Sequence, residues 1–249
     1  MPRFEDHFSA HAREYALHRP GYPSGLFEHL AALVPKHELA WDCGTGNGQA
    51  ALELARVFAR VVATDASADQ IANAFLHPSV QYRVEPAEQV SIEDRSVDLA
   101  VVAQAVHWFD LERFYAEVRR VVRPGGMLVV WTYHLAEISP AVDAVLSRFY
   151  FDTLAGYWPE RIHYLEEGYA TLPFPFPHVP IPAYAMQADW DLTALLGFLD
   201  SWSAVHRYRA RHGRDPIDEV REDLAAAWGK ETRRMRILWP LSFRAGRIG

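Results

Sequence analysis

The sequence predicts an α/β protein built on a doubly wound, mostly parallel β-sheet. Short apolar runs alternate with segments of helical periodicity between residues 38 and 133. Strands that alternate with helices of about ten residues form βαβ units, whose strands pair in parallel. A glycine-rich stretch ends the first apolar run, where open α/β sheets bind their ligands. The alternation stops after residue 133, so we expect a different kind of structure there.

Each element of the alternating region has its own local evidence. Apolar residues recur at helical spacing over residues 24–34, and Pro35 ends that helix. Ser67 is a candidate N-cap for the helix after the second strand. The five expected strands lie in ELAWDCG, RVVATDAS, VQYRVEPAE, VDLAVVAQAVHWF and MLVVWTY. The expected helices lie in SGLFEHLAALV, GQAALELARVFA, SADQIANAFL and DLERFYAEVRRVV.

The remainder of the chain is mainly helical in pattern. Aromatic residues and prolines crowd residues 134–185, and QADW is a possible strand before a helical stretch. A further helix is predicted in DPIDEVREDLAAAWG, with Pro216 near its first turn, and RMRILWPLSFRAGRI is typical of one closing strand. We therefore expect four segments: a helical cover (1–36), a ligand-binding α/β core (37–134), a substrate-side insertion with helices (135–232) and a closing strand of the core sheet (233–249).

Composition restricts the compartment and the partners. Cys43 is the single cysteine among 249 residues, so no intramolecular disulfide can form and a reducing compartment is favoured. No signal-peptide pattern and no run of about 20 apolar residues is present. The net charge of −7 disfavours a nucleic-acid partner. We expect a cytoplasmic monomer or homodimer that binds neither nucleic acid nor membrane.

The stretch WDCGTGNGQA, at residues 41–50, indicates the kind of ligand. Asp42 stands two residues before the first glycine, and Gln49 occupies the place of the last glycine of a dinucleotide fingerprint. A carboxylate at this position repels a pyrophosphate and attracts a cation. S-adenosylmethionine has a sulfonium group, an ammonium group and no phosphate, so it satisfies this pattern.

Three stretches then point to one family. The pattern D-x-G-x-G-x-G at residues 42–48 resembles motif I of the class I S-adenosylmethionine-dependent methyltransferases, and VEPAEQVSIEDRSVDLAVVAQAVHWFD resembles their type 11 branch. FSAHAREYALHRPGYP and WPLSFRAGRI, near the two ends, are similar to the trans-aconitate methyltransferase-like proteins. The resemblance implies a seven-stranded Rossmann-like methyltransferase fold and in-line transfer of the cofactor's methyl group.

The resemblance also assigns residues to the site. It implies that Asp65 accepts hydrogen bonds from the ribose hydroxyls. It also implies that Arg19 and Asp42 lie on either side of the methionine end of the cofactor. The residues expected to bind the cofactor are Tyr15, Arg19, Asp42, Gly44, Thr45, Gly46, Asp65, Ala66, Ala87, Glu88, Ala103 and Gln104. The residues expected at the substrate are His107, Trp108, Trp131 and Tyr133. His107 is the catalytic candidate, as a base or as a group that orients the acceptor, although it could also be a packing histidine.

The acceptor is the least determined part of the prediction. Aromatic residues of the insertion favour a small, partly apolar molecule, or else they form the insertion's own core. Residues 201–249 hold 11 Lys/Arg and 6 Asp/Glu. The arginines Arg207, Arg209, Arg211 and Arg214 either bind a substrate carboxylate or pair with acids of the DEVRED stretch. No Cys/His cluster has metal-ligand spacing, so no metal is expected. A cofactor-binding protein without methyl transfer, and a tRNA or protein methyltransferase, remain alternatives.

Overall fold

The computed structural model describes residues 20–249, and six strands of this part form one central sheet. The strands of this sheet are β1 (Leu39–Cys43), β2 (Arg60–Asp65), β3 (Val80–Val84), β4 (Val97–Ala103), β5 (Val122–Thr132) and β8 (Ser242–Arg247). Their order is β3-β2-β1-β4-β5-β8; the first five pair in parallel, and β8 runs antiparallel to β5 at the edge. This confirms the predicted α/β class and doubly wound order.

Helices cover both faces of the sheet, and a second sheet of two antiparallel strands lies in the late part of the chain. Its strands are β6 (Ala185–Trp190) and β7 (Met235–Pro240). The α-helices are α1 (Ser24–Ala32), α2 (Gln49–Leu54), α3 (Ala68–Ala72), α4 (Leu111–Val121), α5 (Pro140–Arg148), α6 (His163–Glu166), α7 (Leu192–Asp200), α8 (Ser203–His212) and α9 (Arg221–Trp228). No helix among residues 20–249 is long and apolar enough to cross a membrane.

Every residue of β1 is buried, because both faces of the sheet are covered. Successive side chains of a strand point to opposite faces, so Ala40 joins one apolar cluster and Trp41 joins the other. The first cluster continues into the helices of the insertion, whereas the second packs under α4. The insertion is therefore part of the same core as the sheet.

The predicted count of seven strands in one sheet is wrong, since this part of the chain forms six. The expected single closing strand is two strands that belong to different sheets. β7 pairs with β6 and buries Ile237 and Trp239, while β8 pairs with β5 and buries Ala245. The alternation of apolar and polar residues continues across Pro240 and Leu241, so the sequence pattern does not show the change of partner.

Two helix predictions also change in the structure. Ser67 is the N-cap of α3, as predicted, because its hydroxyl accepts from the Gln70 amide at 3.2 Å. The helix ends at Ala72, however, and Leu76 at the end of the predicted segment is 93% exposed. Pro216 begins a short 3₁₀ helix, Pro216–Glu219, and the α-helix follows as α9. Of the expected helical cover, α1 lies in the described residues, whereas Tyr15 and Arg19 lie outside them.

Candidate functional site

A cavity of about 1270 Å³ opens at the carboxyl ends of β1, β2 and β4. One wall comes from the loops that follow these strands, and the opposite wall comes from the insertion. The predicted residues in its lining are Gly44, Thr45, Gly46, Asp65, Ala66, Ala87, Glu88, Ala103, Gln104, His107 and Trp108. This edge is where ligands bind in open α/β sheets.

The glycine loop, which we define as residues 44–48, follows β1 and uses its backbone amides in hydrogen bonds within the protein. The amides of Gly44 and Thr45 both donate to the carbonyl of Thr64, at 2.8 and 3.0 Å. The Gly46 amide donates to Asp65 Oδ2 at 2.9 Å, and the Gly48 amide donates to the carbonyl of Thr45 at 3.0 Å. A pyrophosphate site needs free amides at this place, so the loop suits a ligand without phosphate.

Glycine is required at the first position of the loop for two reasons. Gly44 has a φ of +68°, a left-handed conformation that glycine adopts without strain. A Cβ atom at Gly44 would also lie 2.6 Å from the Cβ of Ala105, in the loop that follows β4. The absence of a side chain therefore lets the loops after β1 and β4 approach each other behind the cavity.

Asp65 ends β2 and holds the loops on both sides of the site. Oδ1 accepts from the Ser67 amide at 2.9 Å, in addition to the bond that Oδ2 accepts from Gly46. Each carboxylate oxygen has two lone pairs, so a carboxylate can accept from several donors at once. Asp65 lines the cavity, and its contact with a ribose stays a prediction.

Asp42 does not line the cavity, although the sequence predicts a direct contact with the cofactor. Its side chain is fully buried behind the glycine loop and accepts from the Thr45 hydroxyl at 2.5 Å. Burial raises the pKa of the Asp42 carboxyl to about 7, and the nearby charge of Asp65 adds to this shift while the Thr45 hydrogen bond opposes it. In this structure Asp42 therefore anchors the loop from below.

The loops after β3 and β4 complete the cofactor side. Ala87 is buried in the cavity wall, and Glu88 Oε1 accepts from the Asp110 amide at 2.8 Å, which joins the two loops. Gln104 follows β4 with a φ of +57°, a strained conformation for a residue with a side chain. Its Nε2 donates to the carbonyl of Tyr133 at 3.0 Å, which stabilises this conformation.

The catalytic candidate, His107, lies in a short 3₁₀ turn, Val106–Trp108. The residue lines the cavity but is only 3% exposed. Burial, together with the positive charge of Arg161, lowers the pKa of His107 to about 3. The imidazole is therefore neutral at physiological pH. Trp108 also lines the cavity, beside His107, with ring centroids 4.7 Å apart.

The structure does not bring two of the predicted substrate residues to the cavity. Trp131 is fully buried in the first apolar cluster and packs edge-on against Tyr22 and Phe27, at centroid distances of 5.4 and 6.1 Å. Tyr133 is buried in the same cluster and contributes its carbonyl to Gln104. Trp131 lies near the carboxyl end of β5 and Tyr133 directly follows that strand, whose end is covered by the insertion and α1.

Sequence reasoning missed several residues of the opposite wall. No spacing or motif in the sequence marks the insertion residues that line the cavity, which are Glu160, Arg161, His163 and Tyr164, and the same holds for Arg113 of α4. Arg161 donates to the carbonyls of His107 and Phe109, both at 3.1 Å, so the insertion is fixed to the loop after β4. Such long-range contacts depend on the path of the chain, which the sequence pattern does not give.

Charge is unevenly distributed around the cavity. Three acids lie at or just after the ends of β2 and β3, on the side of the glycine loop, whereas the arginines lie on the side of the insertion and α4 together with the other two acids. The acidic side chains in the lining are Asp65, Glu85, Glu88, Asp110 and Glu160, and the basic ones are Arg113, Arg161 and Arg207. No group of three or more potential metal ligands occurs among residues 20–249.

These features fit S-adenosylmethionine. The cavity wall has carboxylates that can accept from hydroxyl and amino groups, and their negative charge attracts a cation. The backbone amides of the glycine loop already donate to protein acceptors, so the loop does not favour a phosphate. Asp65 and Glu88 line the cavity together with Gly44, Thr45 and Gly46, and their contacts with the ribose and the adenine stay predictions. When bound, this cofactor supplies an electrophilic methyl group on a sulfonium.

Comparison with known proteins leads to the same family. Residues 41–130 match the family model described as a methyltransferase domain. A protein named as a methyltransferase in Dictyostelium discoideum is 32% identical over 230 residues, which cover 91% of this chain and 88% of that protein. A protein of Mycobacterium tuberculosis named as a methyltransferase is 35% identical over 127 residues, or 50% of this chain and 51% of its own.

A solved structure is similar over almost the whole chain. It is described as a type II methyltransferase from Anaeromyxobacter dehalogenans and is 48% identical, with a TM-score of 0.86, covering 92% of this chain and 97% of that one. The finer likeness to trans-aconitate methyltransferase-like proteins stays a prediction. The fold, the glycine loop and these relatives together place the chain in the class I S-adenosylmethionine-dependent methyltransferases.

Proposed function

We propose that this methyltransferase acts on a small molecule that combines an apolar body with a carboxylate or a similar anionic group. The observation that carries the proposal is the composition of the insertion wall. Trp158 and Tyr164 provide aromatic surface there, and Arg207 provides positive charge, all facing the same cavity as the glycine loop. Small-molecule sites combine a mostly apolar lining with a few polar groups in this way.

The insertion wall is held by its own contacts. Trp158 stacks on Tyr150 at a centroid distance of 4.4 Å and donates from Nε1 to the Tyr150 carbonyl at 3.2 Å. Arg207 donates to the carbonyl of Tyr157 at 3.3 Å, so its guanidinium is anchored next to Trp158. A guanidinium has five N–H donors, so one that already makes other contacts can still bind a carboxylate.

The other arginines of the basic C-terminal region have different partners. Arg209 pairs with Asp200 and Asp215, both at 2.5 Å. Arg214 pairs with Glu219 at 3.0 Å, as the alternative interpretation of this region expects. Only Arg207 of the four predicted arginines lines the cavity. This supports one anionic group on a small acceptor over a polyanion that follows a basic track.

The protein's part in the reaction is positioning. Methyl transfer from a sulfonium needs donor and acceptor in line, and holding two reactants in such geometry supplies several kcal/mol of barrier reduction. The cofactor side would be held by Asp65 and Glu88, and the acceptor by the aromatic wall and Arg207. His107 and Trp108 lie between the two sides, so we expect them to contact the acceptor.

A labelled-methyl screen tests the proposal. The purified protein and S-adenosylmethionine with a labelled methyl group are incubated with small carboxylic acids that bear apolar chains or rings, with their neutral amides, with tRNA and with a protein extract. We expect label in the acids and little in the amides. Label in tRNA or protein alone would overturn the small-molecule assignment, and cofactor binding without transfer to any acceptor would indicate a binding protein.

Two arginine variants make the screen specific for the anionic group. Arg207→Gln should raise KM for the acid about 10- to 100-fold, the loss expected for one charge-assisted contact. Arg211→Gln is the matched control, because Arg211 lies on the same helix, is exposed and does not line the cavity. Equal effects of the two substitutions would contradict the assignment of Arg207.

A further inference from the structure

The buried phenol of Tyr169 touches the imidazole of His107. Nδ1 of His107 lies 3.0 Å from Tyr169 Oη, although the two residues are 62 positions apart in the chain. Tyr169 does not line the cavity: it is 0% exposed and belongs to the second apolar cluster. It also has a φ of +61°, so the chain adopts a strained conformation at the residue that makes this contact.

The proton of the Tyr169 hydroxyl needs an acceptor. Burial raises the pKa of the phenol, so the hydroxyl stays protonated. A fully buried donor without a partner is costly, and His107 Nδ1 is within hydrogen-bond distance. A phenol is a good donor and an imidazole nitrogen is a good acceptor, whereas a phenol oxygen is a weaker acceptor than that nitrogen.

One neighbour competes for this proton. The Thr132 hydroxyl lies near Tyr169 and opposes the shift of its pKa. Thr132 itself donates to Gln104 Oε1 at 2.5 Å, and the amide of Gln104 is oriented by its bond to the Tyr133 carbonyl. In the competing arrangement Tyr169 would donate to Thr132, and His107 would carry its proton on Nδ1.

We infer that Tyr169 is a positioning residue that holds His107 in the tautomer with its proton on Nε2, so that His107 offers the acceptor a hydrogen-bond donor and not a base. Nδ1 is occupied by Tyr169, and Nε2 has no hydrogen-bond partner among the described residues. This inference rests on the proposed function in one respect, because it assumes that the acceptor reaches the His107 wall of the cavity.

The surroundings of His107 agree with a donor role. The Arg161 guanidinium donates to the carbonyl of His107 at 3.1 Å, and its charge disfavours the protonated ring. A ring that resists protonation is a poor general base at neutral pH. A fixed N–H beside Arg161 suits an acceptor whose reacting end carries lone pairs, such as a carboxylate oxygen.

Nitrogen-15 NMR of the histidine-labelled full-length protein tests the tautomer directly. The coupling pattern between ring protons and ring nitrogens identifies the nitrogen that carries the proton, and loss of signals in His107→Gln assigns the residue. We expect a protonated Nε2 and a bare Nδ1 in the wild type. A protonated Nδ1 would overturn the inference and favour the base role. This readout needs no acceptor, so it stands even if the acceptor screen fails.

Tyr169→Phe and a matched control test the positioning role. The variant should give a mixture of His107 tautomers and lower kcat/KM roughly three- to tenfold, as expected for one neutral hydrogen bond. Tyr115→Phe removes another buried hydroxyl of the same cluster, one that donates to the Pro173 carbonyl, and should leave the His107 signals unchanged. An unchanged tautomer in Tyr169→Phe would overturn the inference.

Substitutions of His107 separate the two chemical roles. His107→Gln can still present an N–H group near the position of Nε2, whereas His107→Ala cannot. A donor role predicts that Gln retains at least about tenfold more activity than Ala, the value of one hydrogen bond to a charged group. A base role predicts that both substitutions are equally damaging, since an amide does not accept the proton.

Discussion

Gly46 donates its backbone N–H to the Asp65 carboxylate at 2.9 Å, so the acid that ends β2 holds the glycine loop that follows β1. The same carboxylate lies in the wall of the cavity. One side chain therefore shapes the loop and lines the cavity, and the amides of Gly44, Thr45 and Gly46 all have protein acceptors. This arrangement distinguishes the site from a phosphate-binding turn, which also has a glycine-rich sequence but keeps its amides free for the phosphate.

Substitution of two glycines with nearly the same backbone separates strain from collision. Gly44→Ala should cost roughly 1–2 kcal/mol for the left-handed backbone plus about 1–3 kcal/mol for crowding against Ala105. Gly213→Ala, with a φ of +66° and nothing within 4 Å of the added Cβ, should show the backbone cost alone. The measurement is the free energy of unfolding in urea. Equal losses would show that the loops after β1 and β4 are not in close contact.

Asp42 predicts a pH dependence of stability. Its folded pKa is about 7, raised by burial from 3.8, so between these values the folded state holds a proton that the unfolded state has released. The contribution of Asp42 to the free energy of unfolding is therefore at its maximum below pH 4. It decreases by roughly 4 kcal/mol as the pH rises to 7. Asp42→Asn keeps an oxygen for Thr45 and should lack this decrease. The difference between the two unfolding profiles isolates the group, and parallel profiles would contradict the account.

Two tryptophans should respond in opposite ways. Trp131→Phe removes buried volume and should lower stability by about 1–3 kcal/mol, while KM for cofactor and acceptor stays near the wild-type value. Trp158→Phe alters the cavity wall and should raise KM for the acceptor with a smaller loss of stability. Urea unfolding and steady-state kinetics on both variants check this. A large rise in KM for the acceptor in Trp131→Phe would contradict the assignment of Trp131 to the core and would indicate that it contacts the substrate.

The sequence predicted the parts of the molecule whose pattern is local. The βαβ alternation, the Ser67 cap and the cavity positions of Gly44 and Asp65 depend on residues that are close together in the chain. Trp131 was misplaced because an aromatic residue at the carboxyl end of a strand looks the same whether it faces a ligand or the core. Its direction depends on α1 and the insertion, which cover that end of β5.

The sequence predicted that an insertion is present, but it did not predict which residues of the insertion line the cavity. Arg161 reaches the loop after β4 across more than fifty residues, and no periodicity marks such a contact. The contact between Tyr169 and His107 is of the same kind. The seven-strand count failed for a related reason, since β7 and β8 share one alternating pattern and differ only in the strand each one pairs with.

The central claim is that the glycine loop and Asp65 hold S-adenosylmethionine and not a dinucleotide. Calorimetric titration of the wild type and of Asp65→Ala with S-adenosylmethionine, S-adenosylhomocysteine and NAD tests this most directly. We predict binding of both sulfur ligands, weakened roughly 10- to 100-fold in the variant, and no binding of NAD. Asp65→Asn, which keeps one acceptor oxygen, should lose less affinity than Asp65→Ala. Failure of the folded wild type to bind either sulfur ligand, or binding of NAD, would contradict the account.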